Sequence, residues 1–312
     1  MKYAYYPGCS AHSTARDMHE SCLEVAKALG IELNEIKGWT CCGASAAHQT
    51  DRELAASLAS ANLLLAKQMG MDMVVNCAAC YSRSKAANYE IIHSEKVRES
   101  VADSLGQPYD GSVPVRHFVE IMAKDFGLAK LRKKIVNPLN GLRVASYYGC
   151  YLVRPAEVTG FDDPENPTIL ESLIDVMGGS NAEWSGKVDC CGGMQNLTQT
   201  EITVRRSAAV IEMALNAGAE CIVVACPMCQ ISLDLRQADM EKLLGRKYNM
   251  PIIYVTQLLG LALGISSEKL GFDRLMVSPA EIIKTVGNGQ SIEQSLYGTV
   301  ATFPYHQGYK NE

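Results

Sequence analysis

Gly8-Cys9, Cys41-Cys42-Gly43 and Cys77-Ala78-Ala79-Cys80 form one series. Gly149-Cys150, Cys190-Cys191-Gly192 and Cys226-Pro227-Met228-Cys229 repeat it. Cys42 to Cys77 is 35 positions, and so is Cys191 to Cys226. Ten of the twelve cysteines belong to this scheme, so the chain reads as an internal duplication with one thiol-rich site per half. The expected halves are residues 1–138 and 141–280, followed by a tail, 281–312. Pro138 and Gly141 punctuate the boundary.

Each half opens on a short aromatic and β-branched run, Tyr3 to Tyr6 or Val144 to Tyr148, that leads into Gly-Cys. A helix is expected from Arg16 to Leu29, capped by Ser13 or Thr14 and ended by Gly30, then a strand from Glu32 to Ile36. Another helix is expected over 51–69, with Leu54, Leu58, Ala61 and Leu65 on its apolar face. Val204, Ala208, Ile211 and Leu215 repeat that spacing. Met73 to Asn76 and Ile222 to Ala225 read as buried strands, each delivering a C-x-x-C pair. The expected fold is therefore α/β: two pseudo-symmetric, Rossmann-like halves with mostly parallel sheets, and all five cysteines of a half at the C-terminal ends of the strands. The second half carries an insertion after Cys150, including the polar run from Phe161 to Pro167.

A net charge of -5 without a basic run argues against a nucleic-acid surface. No apolar stretch reaches the roughly 18 residues of a spanning helix. Leu258 to Ile265 is apolar but short and reads as core. Met1-Lys2 runs into a strand rather than a signal peptide, so a cytoplasmic location is expected. There, many cysteines point to metal or catalysis rather than to a disulfide framework. Thiolates suit iron–sulfur clusters, zinc and copper(I). A structural zinc closes at four ligands, as does an ordinary cubane cluster, which leaves a fifth cysteine per half to explain. The glycine of each C-C-G lets two successive cysteines face one site, and Gly193 is expected to assist Gly192. No G-x-G-x-x-G opens a helix, so no flavin or nicotinamide site is visible, and electrons would come from another polypeptide.

The duplicated pattern, together with Cys41-Cys42-Gly43-Ala44-Ser45-Ala46-Ala47-His48 and Val223-Val224-Ala225-Cys226-Pro227-Met228-Cys229-Gln230, resembles the B-type subunit of heterodisulfide reductase over nearly the whole chain. The resemblance implies two non-cubane [4Fe-4S] clusters. Cys9, Cys41, Cys42, Cys77 and Cys80 would hold one, and Cys150, Cys190, Cys191, Cys226 and Cys229 the other. It implies reductive cleavage of a disulfide between two thiol coenzymes, of the CoM-S-S-CoB type. It also implies two partners: a ferredoxin-like subunit with cubane [4Fe-4S] clusters and a flavin-containing subunit. A second reading keeps the clusters but makes the chain an electron-transfer subunit linked to succinate, glycolate, lactate or sulfur oxidation. A third, a zinc-stabilised assembly module, gives the fifth cysteine no role.

Outside the motif, His12 and His48 are candidates for donating a proton to a departing thiolate, because His titrates near neutral pH. His117 reads as structural. Cys22 and Cys221 read as core. Arg83, Lys85 and Arg154 follow motif cysteines; each reads as a surface charge or as a contact to an anionic substrate. Tyr297, Phe303, Tyr305 and Tyr309 mark the tail as a docking segment or a partly disordered one.

Overall fold

The structure, a computed structural model, describes residues 1–44 and 47–286. The tail aromatics lie outside the described residues. Two four-stranded, all-parallel sheets carry the chain. The first contains β1 (Lys2–Tyr6), β2 (Glu32–Glu35), β3 (Met73–Val75) and β4 (Val115–His117) in the order β2-β1-β3-β4. The second contains β5 (Arg143–Tyr147), β6 (Ser180–Asn181), β7 (Cys221–Val224) and β8 (Ile252–Tyr254) in the order β6-β5-β7-β8. Central strands are buried on both faces, as Met73-Val74-Val75 and Cys221-Ile222-Val223-Val224 show. The winding of the chain across the sheet reverses between β1 and β3, and again between β5 and β7. That is where doubly wound sheets open a crevice at their C-terminal ends. Cys9 follows β1 and Cys77 follows β3, so both stand at this point, as do Cys150 and Cys226 in the second half.

β4, β6 and β8 carry no strong pattern in the sequence. They run only two or three residues and take their place by pairing with a neighbour. The helix Arg52–Met69 forms, but not on the expected face. Leu54 is exposed, and the buried stripe is Ala56, Ala59, Leu63 and Ala66. Small side chains let this helix lie close to the helices Ala78–His93 and Glu95–Leu105, which pack against it. In the second half Val204, Ala208 and Ile211 are buried as expected. The helix Arg16–Leu29 ends at Gly30, but Ala15 is its N-cap and makes no side-chain cap. Ser13 instead donates to the Cys9 carbonyl at 3.1 Å. The apolar run near 258 becomes the buried helix Val255–Ala262.

One continuous core spans both halves. Ser21 on Arg16–Leu29 meets Thr256 on Val255–Ala262, hydroxyl to hydroxyl, at 2.7 Å in a buried contact. The insertion adds a second brace. Phe161 is buried, with ring centroids 6.1 Å from Tyr81, 6.2 Å from His117 and 6.4 Å from Tyr148. The Tyr81 hydroxyl donates to the Thr159 carbonyl at 2.7 Å. The Asp162 and Asp163 carboxylates accept from backbone N–H groups of residues 165, 166, 168 and 169 and shape the exposed part of the loop. The insertion is thus a clasp on the first half and not only a surface loop.

Candidate functional site

Each half gathers its cysteines on the crevice its sheet creates. Cys42 and Cys80 approach to 3.5 Å between sulfurs, and Cys41 and Cys9 to 4.0 Å. In the second half Cys191 and Cys229 stand 3.7 Å apart, and Cys150 and Cys190 shift each other's pKa. Cys42, Cys77, Cys80, Cys191, Cys226 and Cys229 are buried, whereas Cys9, Cys41 and Cys190 are exposed. The two sets influence each other: Cys77 of the first half rises in pKa, and Cys226 of the second falls, through their mutual effect across the seam. None of the twelve cysteines is in a disulfide. Cys22 and Cys221 lie in the core, where burial pushes their pKa values up.

The glycines fit the sulfurs. Gly43 and Gly192 hold φ of +74° and +75°, and the glycine amide of each turn points back at a cysteine: Gly43 N–H to Cys41 Sγ at 3.5 Å, Gly192 N–H to Cys190 Sγ at 3.4 Å. Gly193 does not share this conformation; a Cβ there would press on Ser232 and Met228. A Cβ on Gly8 would lie 3.0 Å from Cys80 Sγ, and one on Gly149 3.0 Å from Cys229 Sγ. Both positions also hold positive φ, so the sulfurs sit against bare backbone at matched places.

Matched tyrosines escaped the sequence reading. Tyr6 donates to the Thr40 carbonyl at 2.7 Å, and Tyr147 to the Asp189 carbonyl at 2.6 Å. Each stands three residues before the first cysteine of its half and ties down the residue before Cys-Cys. Burial first, and neighbouring thiols second, raise both phenol pKa values, so both hydroxyls stay protonated donors. The spacing Tyr-x-x-Cys in both halves was the available signal. Other clamps differ between halves. Asn62 pairs with the Thr40 backbone, accepting at 2.8 Å and donating at 3.0 Å. Thr203 and Ser207 donate to the Gly192 and Cys191 carbonyls at 2.8 and 3.0 Å.

Crowding sets the electrostatics. Thiols on Cys41 and Cys80 lower the pKa of Cys42, those on Cys229 and Cys77 lower that of Cys226, and Cys150 holds Cys190 down to about 6. The same contacts raise Cys80, Cys229 and Cys150, because a second thiolate beside the first is repelled. Five thiolates in one pocket therefore need a cationic centre. The donor set is sulfur only, which suits an iron–sulfur cofactor. Among the described residues, no three His, Cys, Asp or Glu donors are arranged to hold a single metal ion.

His48 follows Cys41-Cys42-Gly43 and meets the second half, with Nε2 3.5 Å from the Tyr151 hydroxyl. Burial and Arg83 lower its pKa. His12 lies elsewhere. Its ring stacks on Trp39 (centroids 5.7 Å, 10°), stands 5.4 Å from His19, and Nε2 is 3.9 Å from Glu35. His117 ends β4 in full burial, near Cys226 and the backbones of Ala225 and Asn76, the residues before each C-x-x-C. Arg154 pairs with Glu165 at 2.9 Å, and Lys85 lies 5.8 Å from the Tyr81 ring centroid. Arg83 stands over the Tyr151 ring, 5.8 Å from its centroid.

Among the described residues, no helix is long and apolar enough to cross a membrane. The cysteine-rich domain family CCG matches residues 3–83 and again 144–234. The 8-methylmenaquinol:fumarate reductase membrane anchor subunit of Wolinella succinogenes is 32% identical over 283 residues, covering 90% of this chain and 99% of that protein. The B-type subunit of the ferredoxin/F(420)H(2)-dependent CoB-CoM heterodisulfide reductase of Methanosarcina acetivorans is 29% identical over 293 residues, covering 91% and 97%. A protein of Archaeoglobus profundus, named for its likeness to the same heterodisulfide reductase subunit, is 28% identical over 295 residues, covering 92% and 98%. A solved structure of a hypothetical protein from Helicobacter pylori shares the fold, with a TM-score of 0.70 at 11% identity; the match covers 89% of this chain and 52% of that one. Two matched halves, each carrying the same five cysteines at the crevice end of its sheet, and relatives that align from end to end lead to one conclusion: the chain belongs to the cysteine-rich CCG family, with two CCG domains, and to the group that resembles the B-type subunit of heterodisulfide reductase.

Proposed function

We propose that this chain is the catalytic subunit of a heterodisulfide reductase or a close functional relative, and that it cleaves a disulfide reductively between two non-cubane [4Fe-4S] clusters. One observation carries the reading: two complete five-cysteine sets stand at the crevice ends of two matched sheets, and Cys77 of one and Cys226 of the other shift each other's pKa across the seam. Splitting R–S–S–R′ into two thiols takes two electrons and two protons, and twin sites can act on the two sulfurs together. Cys9, Cys41, Cys42, Cys77 and Cys80 would hold one cluster, and Cys150, Cys190, Cys191, Cys226 and Cys229 the other. When bound, the clusters supply the electrons. The chain's own residues do the rest. The Tyr6 and Tyr147 hydroxyls fix the loops that present Cys-Cys. His48 is the better placed proton donor, since its ring meets Tyr151 of the second half; His12 stacks on Trp39 instead. A partner with cubane clusters and a flavin-containing partner would deliver the electrons in the cytoplasm, where free thiols persist.

A second reading is supported by the Wolinella relative, whose name ties it to menaquinol and fumarate. In that case the chain passes electrons within a respiratory complex and turns over no disulfide. Anaerobically purified protein separates the readings. About eight irons and eight sulfides per chain are expected for two four-iron clusters. Reduced dye should then be consumed when small disulfides are added, with two thiols released per disulfide. Full iron and sulfide without disulfide cleavage would favour electron transfer. Zinc without sulfide would remove both readings.

A further inference from the structure

The last strands of the two sheets end alike. β4 closes on His117 and β8 on Tyr254. In the strand register His117 lies opposite Val75, and Tyr254 opposite Val224. Those partners stand two residues before Cys77 and Cys226, the first cysteines of the two C-x-x-C pairs. His117 and Tyr254 are also the N-caps of the helices that follow, Phe118–Glu120 and Val255–Ala262. The duplication has therefore put an imidazole and a phenol at one and the same place of the plan.

Both side chains are fully buried, and each holds a polar atom without a hydrogen-bond partner: Nε2 of His117 and the hydroxyl of Tyr254. His117 Nδ1 accepts the Val119 amide at 3.3 Å, so the proton of the neutral ring lies on Nε2. The Tyr254 phenol also keeps its proton. Burial first, and then the charges of Asp17, Cys226, Cys77 and Cys229, hold its pKa well above the ordinary range. After burial, Cys226 is the largest influence on His117 too. The Ala225 and Asn76 backbones also act on the ring, but neither gives Nε2 a well-formed hydrogen bond. A buried donor without an acceptor is costly, and native proteins hold few of them. Two at equivalent places, both under the influence of the cysteine sets, point to an acceptor that belongs to those sets.

We propose that His117, through Nε2–H, and Tyr254, through its hydroxyl, are positioning residues that donate hydrogen bonds to the sulfurs of the bound clusters and so raise their reduction potential. The proposal rests on the reading that the cysteine sets hold iron–sulfur clusters, and on no particular substrate. Hydrogen bonds to the sulfurs are among the factors that set the potential of such clusters. Reduction adds negative charge to the sulfurs, and a donor bonds more strongly to an acceptor that carries more charge. A pair of fixed donors therefore favours the reduced state of both halves.

Redox titration of the full-chain holoprotein tests it, followed by EPR under anaerobic conditions and without substrate. Iron and sulfide are measured first on every sample. Tyr254→Phe removes one oxygen and keeps the ring. It should retain both clusters and disfavour reduction of at least one by about tenfold, a fall of about 59 mV for one electron. His117→Leu should shift the potential in the same direction, and His117→Gln, which keeps an N–H donor, should shift it less. Tyr109→Phe loses a buried hydroxyl that bonds Asn88 instead, and should titrate as the native protein does. Native potentials in Tyr254→Phe and in both His117 variants overturn the proposal, and show the donors satisfied by water or by backbone carbonyls. A fall in Tyr109→Phe as large as in Tyr254→Phe also overturns it, by tracing the effect to loosened packing. If Tyr254→Phe does not hold its clusters, the His117 variants decide, and equal shifts in Leu and Gln count against the donor. Absence of iron and sulfide from the native protein sinks the cluster reading itself. Intact clusters at unchanged potentials sink only the role of the two donors.

Discussion

Lowering the pH should strain the seam at one residue. His117 is fully buried, and its Nδ1 accepts the Val119 amide at 3.3 Å, which places the proton of the neutral ring on Nε2. Burial pulls its pKa from 6.5 down to about 4, against the opposing pull of Cys226 and the backbones of Ala225 and Asn76. A base with a depressed native pKa favours the folded state while it is neutral. That stability is fully present above pH 6.5 and is lost as pH falls through the window down to 4. At pH 5 the native ring is still mostly neutral while the unfolded one is mostly charged. The difference is about 2 kcal/mol, or about 3 °C in Tm for a chain of this length. The assay is thermal unfolding at about pH 7 and about pH 5, on native protein and His117→Gln. Glutamine does not titrate, so acid loss of a cofactor affects both proteins while the histidine contribution affects one. The native protein should drop about 3 °C further than the variant between the two pH values. Equal drops would mean that His117 is hydrated or charged in the fold, and its reading as a buried neutral ring would be wrong.

Cys42→Ser and Cys191→Ser should each lose or convert one iron–sulfur site and abolish two-electron cleavage; full iron content with native activity in both variants would refute the ligand sets. Tyr6→Phe and Tyr147→Phe each leave a loop carbonyl without its donor, costing about 1 to 2 kcal/mol, and should speed iron release to a chelator; unchanged release rates would deny the clamp. Gly149→Ala forces alanine to φ +63° with its Cβ 3.0 Å from Cys229 Sγ, so it should disturb the second site and spare the first; an unaltered iron spectrum would show that the sulfur has room to move.

Much of this architecture was legible because the cysteines act as landmarks. Their order places β1, β3, β5 and β7 and the crevice end of both sheets. The short strands were not legible, because Val115–His117 and Ser180–Asn181 owe their conformation to a neighbouring strand rather than to their own composition. The Leu54 face failed for a related reason. Leucine spacing identified an amphipathic helix, but close approach to two other helices selected alanines instead. Tyr6 and Tyr147 read as strand residues; the repeated Tyr-x-x-Cys spacing marks them as a matched pair but does not name the carbonyl, more than thirty positions away, that each hydroxyl reaches. Arg83 read as a surface charge or as a contact to an anionic substrate, because position in a helix does not reveal that Tyr151 of the other half lies against it.

The clasp formed by Phe161, Tyr81 and Thr159, together with the Ser21–Thr256 contact, bears on how separable the repeats are. A gene cut between them would give two fragments of similar plan, each with a large apolar wall bare to water. Such walls seek one another or aggregate. The second repeat would carry the insertion with Phe161 lacking its receptor, and the first would carry the receptor empty. Unfolding should accordingly be a single cooperative event rather than two half-sized ones. Ancestry as a tandem copy is still written in the cysteine spacing, but the contacts added since have turned two modules into one indivisible body.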